Sequence, residues 1–455
     1  MLTATIFLIA YFSACALALA RHPIYGLVAY VTAYFIHPPS LWWSFAVPNL
    51  RWSLLAGVVT LIAVVFHREM LPQRPLFRNG TFVGLALFVT WLGIQSFWAL
   101  EQTLHAELVD YFAKYLIVVG LIYKSVENEH VLKIFLWAHV VGCFYFGWNA
   151  FFMYEGGRFE NISGPGFSDA NQIGLQAVAG IIAAAGLFLA GKFWERVTII
   201  VLVPFIVNGL VTTVSRSSFL GLLVGGVVFA LFSPRQYRRQ VVVLGVIALI
   251  GFAALTHDQY WDRMSTIKYA GQQVEGMETG ARRLVVWEAQ TRMFSDYPLG
   301  CGHRCTTTLS PYYLDDEYLT GPPGNRGRSS HNTYLTLIVE QGIVGGVFAL
   351  LLLLWMMRIS LRLRKLIPTR ETVLLCVYPS ALAILSAILV ADVFVDHLKM
   401  EVRLWYIAVL LVIMNLARKS SAETASTPSD IPPPEEKGRS TNARQISHHG
   451  QIPIQ

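Results

Sequence analysis

Charge is what this 455-residue chain has least of. Asp, Glu, Lys and Arg together make up 14% of it, against roughly 25% in a soluble domain. That shortage excludes an ordinary cytosolic enzyme and a disordered scaffold. Cysteine is scarce too. Five residues are too few for a disulfide framework, and Cys15, Cys143 and Cys376 lie in apolar runs, where a thiol serves as a small hydrophobe. Internal repeats, a nucleotide-binding loop and nucleic-acid motifs are lacking. Hydrophobic residues fill the space at 55%, with a mean hydropathy of +0.51. Length alone suggests about three soluble domains. The long apolar runs point instead to one all-α, polytopic transmembrane bundle.

Apolar segments fall at 3–19, 24–47, 51–66, 82–99, 108–123, 131–153, 171–190, 197–213, 216–233, 238–255, 332–357, 371–391 and 402–417. Several are shorter than a straight crossing needs, so tilting or local thinning is expected. The segment 24–47 is broken by His37-Pro38-Pro39 and followed by Trp42 and Trp43, residues that suit an interface. Whether it crosses decides between 12 and 13 spans. The first segment lacks a basic flank and a convincing cleavage site and reads as a retained helix.

Lys and Arg set the orientation. Arg68, Arg74 and Arg78, Lys124 and Lys133, Lys192 and Arg196, the Arg235–Arg239 group and the Arg358–Arg370 group occupy alternate loops. Those loops are read as cytoplasmic. The positive net charge of +7 is thereby explained without a nucleic-acid partner. Residues 256–331 form a long polar loop on the other, periplasmic side, between a first bundle part (1–255) and a last one (332–417). Residues 418–455, rich in Pro, Ser and Thr, read as a disordered cytoplasmic tail.

Several constellations can carry chemistry. His331 stands where the polar loop meets the apolar run, near the outer boundary, with a pKa range suited to proton transfer. The plainer alternative is an interfacial histidine that only caps a helix, with Ser329 or Ser330 as N-cap. Arg216, in Ser215-Arg216-Ser217-Ser218, lies between two apolar runs. It either snorkels or holds a phosphate or pyrophosphate. Arg158 sits in a Gly-rich outward loop with Gly164-Pro165-Gly166 and Asp169-Ala170-Asn171, or in a simple turn. Arg283 and Trp287 share a helix face, on a helix that can also lie on the membrane surface. Glu340 points away from His331 and is expected to pair within the bundle, while Gly342 and Gly346 have the spacing for tight helix packing. Cys301 and Cys305 read as a disulfide or two thiols, with zinc the weakest option. Asp315-Asp316-Glu317 reads as solvated acids rather than a metal site.

Three stretches in this order resemble the O-antigen ligase superfamily: Ser215-Arg216-Ser217; Arg283 to Trp287 leading to Pro298-Leu299-Gly300-Cys301-Gly302; and His331-Asn332 with Leu335, Glu340, Gly342 and Gly345. The likeness spans about Arg158 to Leu350. The N-terminal third is similar to the exosortase-associated O-glycosylation ligase branch. The resemblance implies a GT-C-like fold in the bacterial inner membrane. It also implies metal-independent, inverting glycosyl transfer at the periplasmic face, without a cofactor. The donor would be a glycan on undecaprenyl pyrophosphate, and the acceptor a lipid A-core sugar hydroxyl. By the same likeness, His331 and Arg216 are catalytic, and Arg216, Arg283 and Arg158 bind the pyrophosphate. An O-antigen polymerase or a protein O-oligosaccharyltransferase uses the same donor and stays open. A lipid or polysaccharide transporter is the alternative from another class. Against it stand the lack of matched broken helices and the few intramembrane charges, such as Asp110, Lys114 and Glu340.

Overall fold

The computed structural model describes residues 2–160, 169–256, 258–265, 281–322, 326–367 and 372–426. The sixteen helices among them are α1 Leu2–Ala20, α2 Ile24–Ile36, α3 Trp52–Phe66, α4 Gly80–Gln95, α5 Gln102–Ser125, α6 Glu129–Met153, α7 Ala170–Ala190, α8 Phe193–Thr212, α9 Arg216–Phe232, α10 Arg238–Leu255, α11 Asp258–Ser265, α12 Ala281–Asp296, α13 Cys305–Leu309, α14 Thr333–Leu366, α15 Thr372–Ala391 and α16 Glu401–Ser426. The β pairing among the described residues is a single bridge between Thr320 and Gly327.

The fold is that of a polytopic helical membrane protein. Among the described residues, seven helices are long and apolar enough to cross a bilayer: α1, α6, α7, α8, α10, α14 and α15. Helices α3, α4 and α9 are apolar but shorter, which fits tilting or local thinning. The break at 37–39 appears as expected. α2 ends at His37 in the left-handed region, and Pro38 starts a short 3-10 turn. The two tryptophans part company there. Trp42 is exposed, whereas Trp43 is buried against Phe7.

Burial separates core from rim. In α7 and α15, 78% of the apolar window is covered by protein; in α10 the figure is 11%. Helices α9 and α15 run antiparallel in close contact. A Cβ on Gly221 would stand 3.1 Å from the Ala387 carbonyl oxygen, and one on Gly225 3.2 Å from that of Ala383. At the far end the Tyr378 hydroxyl donates to the Phe232 carbonyl at 2.9 Å.

α14 departs from a straight span. It kinks at Gly342, where φ is 69° and ψ −163°. A Cβ there would meet the Leu299 carbonyl carbon at 2.3 Å, so a left-handed residue without a side chain is required. The packing role expected of Gly342 with Gly346 is thus corrected. Gly342 admits the 298–300 segment into a broken helix, and Gly346 lies near only Ile338 of its own helix. α16 also continues past 417 to Ser426, so the expected disorder does not begin at 418. Residues 427–455 lie outside the described ones.

Candidate functional site

Two left-handed residues mark the start of the site. Val214, at φ 48°, precedes the Ser215-Arg216 turn, and His331, at φ 50°, precedes α14. A β-branched residue in this region is a backbone outlier held by its surroundings. At Val214 the turn redirects the chain from α8 into α9 within three residues. Ser215 caps α9, its hydroxyl accepting from the Ser218 amide at 3.2 Å, and Arg216 becomes the first helical residue.

Asn171 ties this turn to the 158 loop. Its Oδ1 accepts from the Ser215 hydroxyl at 2.9 Å and from Arg158 Nη2 at 3.4 Å. Arg158 Nε also points to the Thr213 carbonyl at 3.4 Å, and Glu160 lies 3.8 Å from Nη1. The amide of Phe159 donates to the Thr212 carbonyl at 2.9 Å. Arg158 is therefore placed beside the Arg216 turn. Gly164-Pro165-Gly166 lies outside the described residues.

The cap of α14 is Asn332, not Ser329 or Ser330. Its side chain accepts from the amides of Tyr334 and Leu335 at 3.0 and 3.1 Å. Ser330 supports that cap from one step back, its hydroxyl accepting from the Asn332 amide at 3.0 Å. Reassigning the cap leaves His331 outside the helix, in the turn before it. Trp287 of α12 donates from Nε1 to the Ser330 carbonyl at 2.9 Å. One helical turn earlier, Arg283 donates to the Phe394 carbonyl at 3.0 Å. The expected shared face of Arg283 and Trp287 is thus real, and it meets protein at both positions.

Residues 392–403 join the pieces, and sequence reasoning passed over them. Thr333 donates from its amide to the Asp392 carbonyl at 2.8 Å and from its hydroxyl to the Val395 carbonyl at 2.7 Å. The Asp396 carboxylate accepts from Thr336 at 3.2 Å. His397 Nε2 reaches Asp169 at 3.2 Å, two residues before Asn171. Buried Arg403 holds Asp392 through both carboxylate oxygens, at 2.7 and 2.8 Å. The signal was legible: Asp392, Asp396, His397 and Arg403 crowd into a short link between two apolar runs, where buried charge needs partners.

This link also fixes which end of the bundle each residue occupies. Because α9 and α15 are antiparallel, Arg216 starts α9 beside the end of α15. The next residue, Asp392, bonds to the first residue of α14. Arg216 and His331 thus stand at one end, with Arg158 and Arg283 bonded into the same belt.

Electrostatics follow from burial and pairing. Burial would raise the Asp169 carboxyl, but His397 and the Asn171 amide outweigh it and bring it down to about 2. Burial raises Asp392 despite Arg403. Burial, then the charge of Glu340, pushes Asp396 up to about 6. The belt is one in which carboxylates are matched to cations or held partly protonated.

A second cluster lies further along α14. Glu340, 1% exposed, accepts from the Arg304 amide at 2.8 Å and the Thr306 hydroxyl at 2.9 Å, and pairs with His303 Nδ1 at 2.9 Å. Cys301 and Cys305 are joined in a disulfide. The expected internal pairing of Glu340 is found, and its partner is the cross-linked loop. Asp316 is solvent-exposed beside Arg326.

Residues 200–350 match the family model described as O-Antigen ligase. No curated protein matches the chain. The matched stretch contains Arg216, Arg283, Glu340 and His331, while Arg158 and the 392–403 link lie outside it. The match supports the likeness to the O-antigen ligase superfamily over the middle third of this multi-pass membrane protein, and in general terms a glycosyl-transfer function of ligase or polymerase type.

Proposed function

We propose that the chain is an O-antigen ligase. It would transfer a glycan from undecaprenyl pyrophosphate to a lipid A-core sugar hydroxyl at the periplasmic face of the inner membrane. One observation carries this reading. Three guanidinium-bearing segments and the turn that bears His331 are bonded into a single belt at one end of an apolar bundle. A substrate with a lipid tail and a diphosphate head needs cations at that level, beside a base.

The chemistry then requires little else. The His331 imidazole takes the proton of the acceptor hydroxyl as its oxygen attacks the anomeric carbon. The bond from that carbon to the diphosphate oxygen breaks, and its electron pair leaves with the diphosphate. Attack opposite the leaving group inverts the centre. Arg216, Arg283 and Arg158 offset the growing negative charge, with Arg suited to bidentate contact. Holding both lipid-borne substrates in one plane supplies proximity.

The test is reconstitution of the full chain in liposomes with an undecaprenyl-pyrophosphate glycan and, separately, lipid A-core, peptide or a second glycan as acceptor. Transfer to lipid A-core alone is the expected outcome. Transfer to glycan or peptide instead would reassign the chain to a polymerase or a protein glycosyltransferase. The reaction should run undiminished in EDTA; inhibition reversed by a divalent ion would overturn the metal-free step.

A further inference from the structure

The 392–403 link carries a cation that the arginine belt does not use. Lys399 is half-buried and lines a cavity of about 800 Å³ between α2, α3 and α5. Its backbone is fixed from two sides. The Tyr115 hydroxyl donates to the Lys399 carbonyl at 3.0 Å, and the amide of Met400 donates to the His397 carbonyl at 3.0 Å. The ammonium stands 5.6 Å from the centre of the Tyr111 ring, within cation–π reach. The ring holds the side chain in place without neutralising it.

Lys399 lacks a counter-ion. It forms no ion pair among the described residues. The carboxylates around it are engaged elsewhere. Glu340 is bonded to His303, Thr306 and the Arg304 amide, and Asp396 to Thr336. Across the cavity, Asp110 is taken by Lys114, and Glu401 accepts from Tyr30 and Trp405. Burial, then the like charge of Arg304, holds the Lys399 ammonium below the usual lysine range. Covering a cation costs unless it is paired, and an anion beside it would restore the charged form.

The surroundings select the anion. Leu54, Val58, Leu61 and Ile117 line the same cavity, so an anion that reaches Lys399 can bring an apolar chain with it. The link also ties Lys399 to the belt. Phe394 accepts from Arg283, and His397 pairs with Asp169, two residues before the Asn171 that bonds Arg158. Lysine meets a phosphate as a compact point charge. Both proposed substrates offer one on a lipid: the donor carries a diphosphate, and lipid A carries phosphate esters.

We propose that Lys399 is a further substrate-binding residue, its ammonium contacting a phosphate on one of the two lipid-borne substrates. The proposal deepens the ligase reading and rests on it for the word substrate; binding of the lipid phosphate is measured apart from transfer.

The full chain in dodecyl maltoside is titrated separately with undecaprenyl pyrophosphate, lipid A-core and phosphatidylglycerol, and bound lipid is counted by native mass spectrometry. Lys399→Met keeps an unbranched stem over Tyr111 and loses the charge; Lys399→Gln is the second neutral variant should the first not fold. Either should weaken undecaprenyl pyrophosphate or lipid A-core about tenfold or more and leave phosphatidylglycerol unchanged. Loss confined to undecaprenyl pyrophosphate assigns the contact to the donor, and loss confined to lipid A-core assigns it to the acceptor. Lys399→Arg should bind within about threefold of the parent, because the charge is kept. Lys114→Met, whose cation is spent on Asp110, should bind as the parent does. An equal loss in Lys114→Met would make the effect one of overall charge. Loss of phosphatidylglycerol alone would make Lys399 an anchor for ordinary lipid, and unchanged binding of all three would leave it without a phosphate; each of these results overturns the proposal. In transfer assays, Lys399→Met should raise the KM of the same substrate about tenfold with kcat little changed. Absence of transfer by the parent, with the Lys399-dependent binding intact, would count against the ligase reading and leave the phosphate contact standing.

Discussion

His303 and His331 lie in the same long loop, yet their surroundings oppose each other. His303 is 7% exposed, paired with buried Glu340 and set beside a disulfide that closes its loop. Its Nε2 is buried, so a substrate hydroxyl has no route to it. His331 is half-buried, in a left-handed turn before a capped helix. The first arrangement staples the loop onto α14 at its kink. The second holds an imidazole at the end of the bundle that carries the arginine belt. A histidine near a carboxylate is therefore not sufficient for a base; what separates the two is access.

The sharpest way to break this comparison is His331→Ala. Transfer should fall by about 10²–10⁴-fold, the usual worth of a general base, with insertion and thermal midpoint preserved. His331→Gly sharpens it further. The left-handed backbone costs a non-glycine residue about 1 kcal/mol, so this variant should be at least as heat-stable as the parent and equally inactive. Normal transfer by either would remove His331 as base.

Arg216→Lys comes next. The charge stays and the bidentate fork is lost, so kcat should drop about 10²-fold with little change in stability. A drop in thermal midpoint matching the activity loss would instead make Arg216 a packing residue of the turn.

Glu340→Gln should do the opposite of His331→Ala. Glu340 is buried and bonded to His303, Thr306 and the Arg304 amide, and a mismatched buried hydrogen-bond partner costs about 1–3 kcal/mol, so the thermal midpoint should fall clearly, while the protein that remains folded keeps its kcat. Loss of kcat without loss of stability would move Glu340 from the staple to the reacting site.

How far the sequence reveals this molecule depends on whether the signal is local. Apolar runs place the helices because hydrophobic length is local, and the Pro38 break and the Arg283–Trp287 face were readable for the same reason. The α14 kink was not, since Gly342 takes its role from Leu299, a residue far away in sequence. The helix cap was misplaced by two or three residues because Ser329, Ser330 and Asn332 all favour caps, and only the fold selects among them. The 392–403 link escaped notice because its bonds run to Asp169, to Arg283 and to Thr333 and Thr336 of α14, from three separate segments. Its crowded charges were nevertheless visible as groups in need of partners.

The smallest expected effect concerns a carboxylate that faces both regions. Asp396 bonds to Thr336 near the site and is raised to about 6 by burial and then by the charge of Glu340 in the staple. A carboxyl raised in the folded state binds a proton more readily than in the unfolded chain. Stability is therefore greatest when it is protonated, and declines as pH rises from about 4 through 6. Asp169 has the opposite sign. Lowered to about 2, it contributes above its ordinary value of 3.8 and is lost as pH falls toward 2. Asp396→Asn keeps an acceptor for Thr336 and cannot ionise. Its thermal midpoint should exceed the parent's by a few degrees at pH 7.5 and match it at pH 4, with the acid limb set by Asp169 unchanged. A variant that follows the parent at every pH would show that Asp396 does not connect the two regions, and that the staple and the arginine belt are electrostatically independent.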